Sequence, residues 1–337
     1  MKPCPNILLI RLKAIGDVVF TLPAVGVLRE NFPGARITFL TSKENAALLR
    51  GFPEVNEVIA LDRTALRSGN PLKVGAEFFR LLRRLRSGRF SLVVDFQGFG
   101  ETAWMARLTG APERWGSVYG TGRSWAYTRG RAREGTRHPA EWNLHLLAGC
   151  GVGCGTVKNE FVLPADALAA ARQFYAEHAL DLARPTLVIQ PLTSTPDKNW
   201  PLEHFLAVAR HGRDNGVQII FVGGPADESG LAAARAENFC VATHLPLLVS
   251  AGLVWLATLT LGGDTGLGHL AVAQGRRVVM LMRHIPPGAC IPFQHPEWAL
   301  APESSAEINK LPLPVVLAEV DRALRDRNCP PLHATGT

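Results

Sequence analysis

The chain has 337 residues, 47% of them hydrophobic and 19% charged, with a formal net charge of +7. That length makes two domains of comparable size the expectation, and the composition excludes a disordered or low-complexity chain. The 32 glycines and 24 prolines follow no period, which excludes collagen and simple solenoids.

In chain order, Met1–Asn6 carries one lysine before a short apolar run that Arg11 and Lys13 interrupt. A secretory signal needs a longer apolar run and a small-residue cleavage site. No later stretch reaches the ~20 apolar residues of a spanning helix. A cytoplasmic chain is therefore expected. The cysteines agree, because Cys4, Cys150, Cys154, Cys240, Cys290 and Cys329 are scattered. Only Cys150 and Cys154 are close, with no second ligand pair to complete a zinc site, so ordinary thiols in a reducing compartment are expected.

Ile7–Leu12, Ile37–Leu40, Val55–Leu61 and Leu92–Phe96 lack polar alternation and predict strands covered on both faces. Asp17–Glu30, Lys43–Leu49 and Pro71–Arg86 predict the intervening helices. The pattern weakens after Trp115, and Gly116–Gly135 reads as a loop. It resumes with strands at Leu187–Gln190, Ile219–Val222, Leu259–Gly262 and Val278–Met282. Helices at Leu202–Asn215, Asp227–Glu237, Leu247–Ala257 and Gly266–Ala273 separate these. The β-α-β-α order implies two parallel, doubly wound α/β domains, 1–163 and 164–313, facing a central cleft. A last segment, 314–337, holds a helix at Pro314–Arg327 that suits either half, including a return onto the N-terminal domain.

Charge is unequal between the halves. Residues 1–160 hold 23 Lys and Arg against 13 Asp and Glu; residues 161–337 hold 13 against 16. The arginines concentrate at Arg80–Arg89, which suits a solvated helix face, and at Arg123–Arg137, where a loop would meet an anionic ligand or membrane surface. No nucleic-acid-binding motif accompanies them.

Ligands of open parallel sheets bind beyond the carboxyl ends of strands. The first strand runs into R-L-K-A-I-G-D-V-V-F-T-L-P-A, Arg11–Ala24. Gly16 permits a tight turn, and Asp17 opens a helix either as a cap or as a base for a bound hydroxyl. The second half offers Q-P-L-T-S-T-P-D-K-N-W-P, Gln190–Pro201. There Thr193, Ser194 and Lys198 form a phosphate cradle or an ordinary loop with a surface lysine. In L-G-G-D-T-G-L-G-H-L-A, Leu261–Ala271, glycines free the helix start at Thr265 and Gly266 for a diphosphate. The simpler alternative makes Asp264 a cap and His269 a packed residue. F-V-G-G-P-A-D-E, Phe221–Glu228, places Asp227 where it either caps a helix or bonds a ribose. No G-x-G-x-x-G follows a strand, which disfavours a Rossmann dehydrogenase, and neither a Walker A sequence nor an Asp-x-Asp metal clamp is present.

Taken together, G-D-V-V-x-T-L-P-A at Gly16–Ala24, T-S-x-x-D-K-N-W-P at Thr193–Pro201 and D-T-G-L-G-H-L at Asp264–Leu270 resemble glycosyltransferase family 9. This is the family of the lipopolysaccharide heptosyltransferases. The resemblance implies the two-domain GT-B architecture and an inverting, metal-independent transfer, with no cofactor beyond a nucleotide-sugar donor, ADP-heptose. It gives Asp17 the general-base role, helped by Lys198 at the leaving diphosphate. It places Thr193, Ser194, Lys198, Thr265 and Gly266 on the donor phosphates, Asp264 on sugar hydroxyls with His269 nearby, and Asp227 on the ribose. Arg11, Gly16 and Arg123 are the candidate contacts of an anionic, lipid-linked glycan acceptor. Peripheral contact with the cytoplasmic face of the inner membrane follows from that acceptor, and nucleic acid is not expected as a partner. One departure stands out. The family's G-P-T-x-P loop after Val278–Met282 is replaced by M-R-H-I-P-P-G-A-C-I-P, Met282–Pro292, which leaves another donor sugar open. A non-catalytic anionic-glycan-binding protein is the alternative from another class.

Overall fold

Runs such as Ile7–Ile10 and Leu187–Ile189 have no polar face to offer water, so they are stable only as strands covered by helices on both sides. In the computed structural model, which describes residues 5–119, 121–153, 155–303 and 305–326, they do so in two parallel sheets. The first contains β1 (Asn6–Ile10), β2 (Arg36–Ser42), β3 (Glu57–Leu61), β4 (Leu92–Asp95), β5 (Glu113–Val118) and β6 (Arg129–Ala132), in the order β3-β2-β1-β4-β5-β6. The second contains β7 (Thr186–Gln190), β8 (Gln218–Val222), β9 (Cys240–Ala242), β10 (Leu259–Gly263), β11 (Val278–Leu281) and β12 (Ala299–Leu300), in the order β12-β11-β10-β7-β8-β9. Register is continuous across the centre of each: Ile7 faces Ile37 and Leu92, and Leu261 faces Ile189 and Val279.

Both sheets share one topology. The chain adds strands outward from its first strand, then returns to that strand's other side, so the direction reverses between β1 and β4 and again between β7 and β10. At such a reversal the loops leave in opposite directions and open a crevice at the strands' carboxyl ends. The loops after β1 and β4, and those after β7 and β10, carry most of the candidate active-site residues.

The chain divides into two compact units between Asn159 and Glu160. The first unit's core joins Leu8, Ile10 and Val93 to Leu81, Leu85, Ala103 and Ala106 of the helices Pro71–Ser87 and Gly100–Leu108. The second unit's core joins Leu187, Ile189 and Leu261 to Phe205, Leu206 and Val208 of the helix Leu202–Asp214. The final helix, Leu313–Arg325, contributes Val316, Val320 and Ala323 to this second core, where it packs with the β10 and β11 side chains. Its apolar stripe has an i, i+4, i+7 spacing that suits such a surface.

Three local readings are corrected. Gly116–Gly135 is not a loop: it carries the end of β5, a 3₁₀ turn at Thr121–Ala126 and β6. The strand was hidden because β6 is an edge strand exposed along its whole length, so Arg-Gly-Arg-Ala shows no apolar pattern. The helix expected over Asp17–Glu30 is two helices, Ile15–Val19 and Leu22–Asn31, parted where the Thr21 hydroxyl donates to the Val18 carbonyl at 2.7 Å. The helix expected over Asp227–Glu237 is two 3₁₀ turns, Pro225–Asp227 and Ser229–Leu231, followed by a short helix, Ala232–Ala236. Among the described residues no helix is long and apolar enough to cross a membrane. Cys150 and Cys240 are free thiols; Cys4, Cys154, Cys329 and Arg327 lie outside the described residues.

Candidate active site

In the first unit the site residues gather between the loops after β1 and β4. Arg11 is almost buried and its guanidinium is fixed from two directions. Nη1 donates to the Phe96 carbonyl at 2.9 Å, and Nη2 pairs with Asp17 Oδ2 at 2.7 Å. The same Oδ2 accepts the Ala14 N–H at 2.9 Å. Asp17 therefore does cap its short helix, Ile15–Val19, but with one oxygen, while its side chain remains 32% exposed. Gly16 lies within that helix and is not among the positive-φ glycines, so no left-handed turn demands it.

The loop after β4 is held rigidly. Asp95 is fully buried and accepts from Gln97 N–H at 2.9 Å, Gly98 N–H at 3.0 Å and the Tyr127 hydroxyl at 2.7 Å. Burial pushes its carboxyl above the usual value despite these bonds. Gly98 is required: its φ is +70°, and a Cβ would sit 2.1 Å from the Ser117 carbonyl oxygen. Gln97 Oε1 accepts the Leu12 N–H at 2.8 Å, tying the β4 loop to the β1 loop. Arg123 Nη1 donates to the Gly98 carbonyl at 3.1 Å, so this arginine belongs to the same wall.

The second unit assembles its polar residues at the ends of β7 and β10. Lys198 Nζ donates to Asp264 Oδ2 at 2.9 Å, and His269 Nε2 meets Asp264 Oδ1 at 2.9 Å. Burial works to raise the Asp264 carboxyl. The hydrogen bonds and charges of His269 and Lys198 outweigh it and hold the group at about 2. The bond to Asp264 in turn raises Lys198, keeping it a cation. Thr265 caps the helix Gly266–Ala273: its hydroxyl accepts the Gly268 N–H at 3.2 Å and donates to Gln190 Oε1 at 2.6 Å. Gly263 brings the two loops together, because a Cβ there would lie 2.8 Å from Thr193 Cγ2.

The Thr193 hydroxyl donates to the Thr195 carbonyl at 2.8 Å and its N–H to Asn199 Oδ1 at 2.8 Å, so this side chain shapes the loop; Ser194 is exposed beside it. Lys198 and Asp264 line an open pocket of about 230 Å³ together with Met282, Arg283, His284 and Cys290 of the divergent loop. An Arg283–Asp197 ion pair joins that loop to the one carrying Lys198.

The structure thus brings Lys198, Asp264, Thr265, Gly266 and His269 together with Thr193, and separately unites Arg11 with Asp17. Asp227 stands apart at the end of β8, its Oδ2 accepting the Gly224 N–H at 2.7 Å as a cap. Gln190, Asn199, Gln97 and Arg283 were missed as supporting residues. Gln190 and Asn199 lie inside the segment that was read, but amides carry no charge signal; Gln97 and Arg283 show their value only through partners 85 and 86 positions away.

Comparison with known proteins decides the family. The profile of glycosyltransferase family 9 (heptosyltransferase) matches residues 78–308. The chain belongs to this family. It is a glycosyltransferase. Lipopolysaccharide core heptosyltransferase OpsX of Haemophilus influenzae is 24% identical over 305 residues, covering 86% of this chain and 82% of that protein. The crystal structure of a family 9 glycosyl transferase from Veillonella parvula superposes with a TM-score of 0.84 at 21% identity, over 95% of this chain and 97% of that one. Escherichia coli heptosyltransferase WaaC with ADP-2-deoxy-2-fluoro heptose gives 0.74 at 22% identity, over 94% and 99%. These likenesses in structure are of fold, and the two doubly wound sheets are those of the GT-B class.

Proposed function

We propose that this glycosyltransferase moves a heptose from ADP-heptose to an anionic, lipid-linked inner-core glycan on the cytoplasmic side of the membrane. Transfer inverts the anomeric centre and draws on the protein's own charges instead of a metal. The observation that carries the reading is the Lys198–Asp264–His269 cluster beside the helix start at Thr265–Gly266, whose Lys198 and Asp264 line a pocket at the carboxyl ends of β7 and β10. A partly buried carboxylate held ionised can accept hydrogen bonds from sugar hydroxyls. The neighbouring ammonium, the exposed Ser194 hydroxyl and the helix N–H groups suit a diphosphate, with Thr193 shaping the loop that presents Ser194. The name of the solved relative bound to an ADP-heptose analogue, and those of the curated relatives, support the same donor and acceptor.

The reaction is a direct displacement. The acceptor oxygen attacks the anomeric carbon while Asp17 takes its proton through the oxygen that faces away from Arg11. The bond from that carbon to the diphosphate oxygen breaks on the opposite face and ADP leaves, its growing charge met by Lys198 and the helix start at Thr265–Gly266. Arg11 fixes the Asp17 carboxylate in place. Asp227 bonds the ribose, and Arg11, Gly16 and Arg123 line the acceptor side.

The test is incubation with ADP-heptose and a lipid-core acceptor, product followed by mass. A mass gain of one heptose, unchanged by EDTA, is the expected result. Because the Met282–Pro292 loop walls the pocket, a panel of UDP- and ADP-hexoses belongs beside it; transfer from a hexose donor alone would reassign the sugar.

A further inference from the structure

Seven of the eleven large apolar side chains exposed among the described residues fall between Leu72 and Trp125. Four are prominent: Leu72 is 82% exposed, Phe79 69%, Trp104 58% and Trp125 47%. They share a side of the first unit. The helices Pro71–Ser87 and Gly100–Leu108 and the turn Thr121–Ala126 bury Leu81, Leu85, Ala103, Ala106 and Ala126 against one face of the sheet. Their opposite faces therefore point outward together. Trp104 and Trp125 touch, with ring centroids 4.6 Å apart. On the longer helix the spacing i, i+7, i+11, i+14 sets Leu72, Phe79, Arg83 and Arg86 along one stripe. Neither Arg83 nor Arg86 forms an ion pair among the described residues, and both are exposed.

Scattered apolar residues on a surface need no explanation, but paired tryptophans, a phenylalanine and unpaired arginines on one layer do. Tryptophan and phenylalanine beside arginine suit the boundary between lipid headgroups and acyl chains, where the ring is half-dehydrated and the cation meets phosphate. The excess of positive charge in residues 1–160 matches the anionic cytoplasmic leaflet.

We propose that this layer is a membrane-docking face, with Leu72, Phe79, Trp104 and Trp125 entering the interface of an anionic phospholipid bilayer and Arg83 and Arg86 engaging its phosphates. It rests on the proposed lipid-linked acceptor for its purpose, though not for its evidence in the fold. A docked enzyme would find that acceptor by diffusion in two dimensions.

Co-sedimentation of the full chain tests it, with vesicles of phosphatidylcholine mixed with phosphatidylglycerol and with pure phosphatidylcholine. Binding is expected to be stronger to the anionic vesicles and to weaken with salt. The double variant Phe79→Ser, Trp104→Ser should lower the partition coefficient at least roughly tenfold. Arg83→Gln, Arg86→Gln should lower it about fivefold per arginine on anionic vesicles only. Thermal melts of both variants should match the parent, since all four residues are exposed. Absence of vesicle binding, or variants that partition like the parent, overturns the proposal. So does a dimer in sedimentation velocity without lipid that the apolar variant abolishes, because the face would then join two copies. Transfer to a short water-soluble acceptor separates the two claims: its retention by non-binding variants supports a docking role, whereas its absence from the parent chain strikes the reaction and leaves the partition data to judge the face.

Discussion

Replacing Asp17 by asparagine separates the two things this residue does. With the amide oxygen in the Oδ2 position, asparagine still accepts the Ala14 N–H and the Arg11 Nη2–H, so the helix start and the guanidinium keep their geometry. What is lost is a charge. Arg11 retains its bond to the Phe96 carbonyl but becomes a nearly buried cation without a counter-ion. A fully buried pair broken this way costs about 3–5 kcal/mol. With Asp17 one-third exposed, solvent screening reduces this to about 1–2 kcal/mol. For a unit of this size that is a fall of about 2–8 °C in melting temperature. The chemical cost is larger: losing a general base lowers kcat by ~10²–10⁴, or roughly 3–5 kcal/mol of barrier. The proposed donor contacts all belong to the second unit, so the affinity for ADP, measured by calorimetry, should stay within about twofold. Initial rates of transfer on folded protein give the decisive number. Turnover within a factor of a few of the parent would remove Asp17 from the base role and leave it a cap. A rate loss accompanied by equal loss of ADP binding would point instead to general damage.

Further outcomes follow from the same geometry. Lys198→Met breaks a pair whose lysine is 39% exposed, so stability should fall by no more than about 1 kcal/mol. The same change should cut kcat/KM for the nucleotide sugar by ~10²–10³, and unchanged kinetic constants would take Lys198 off the diphosphate. The Asp264 carboxyl sits at about 2 in the folded protein against an ordinary 3.8, so its stabilisation is complete above the ordinary value and disappears as pH falls through the folded one. Melting curves of the parent should lose about 2 kcal/mol between pH 4 and pH 2 that Asp264→Asn does not lose, and parallel curves would refute the assignment. Gly98→Ala combines a left-handed backbone with a Cβ 2.1 Å from the Ser117 carbonyl, so a loss of at least about 2 kcal/mol is expected in denaturant unfolding. Wild-type stability in that variant would mean that the loop after β4 moves freely.

By itself the sequence determined the fold class, because strands of unbroken Ile, Val and Leu require helices on both faces, and their alternation with amphipathic segments admits only parallel sheets. It also marked which loops gather polar side chains, since a strand followed by Gly-Asp, Asp-Thr-Gly or Thr-Ser-x-x-Asp-Lys announces a polar turn at a carboxyl end. The helix Gly266–Ala273 was legible to the residue for that reason. It could not reveal β6, where an edge position removes the apolar pattern, nor where the last helix packs, since an apolar stripe names no partner. Only the tertiary structure decided which polar residues act together. Lys198 and Asp264 are 66 positions apart, Arg11 and Phe96 85. A charge near a strand end reads alike whether it faces water or a counter-charge. Which of the two it meets depends on the order of strands in the sheet, a property of the folded chain as a whole.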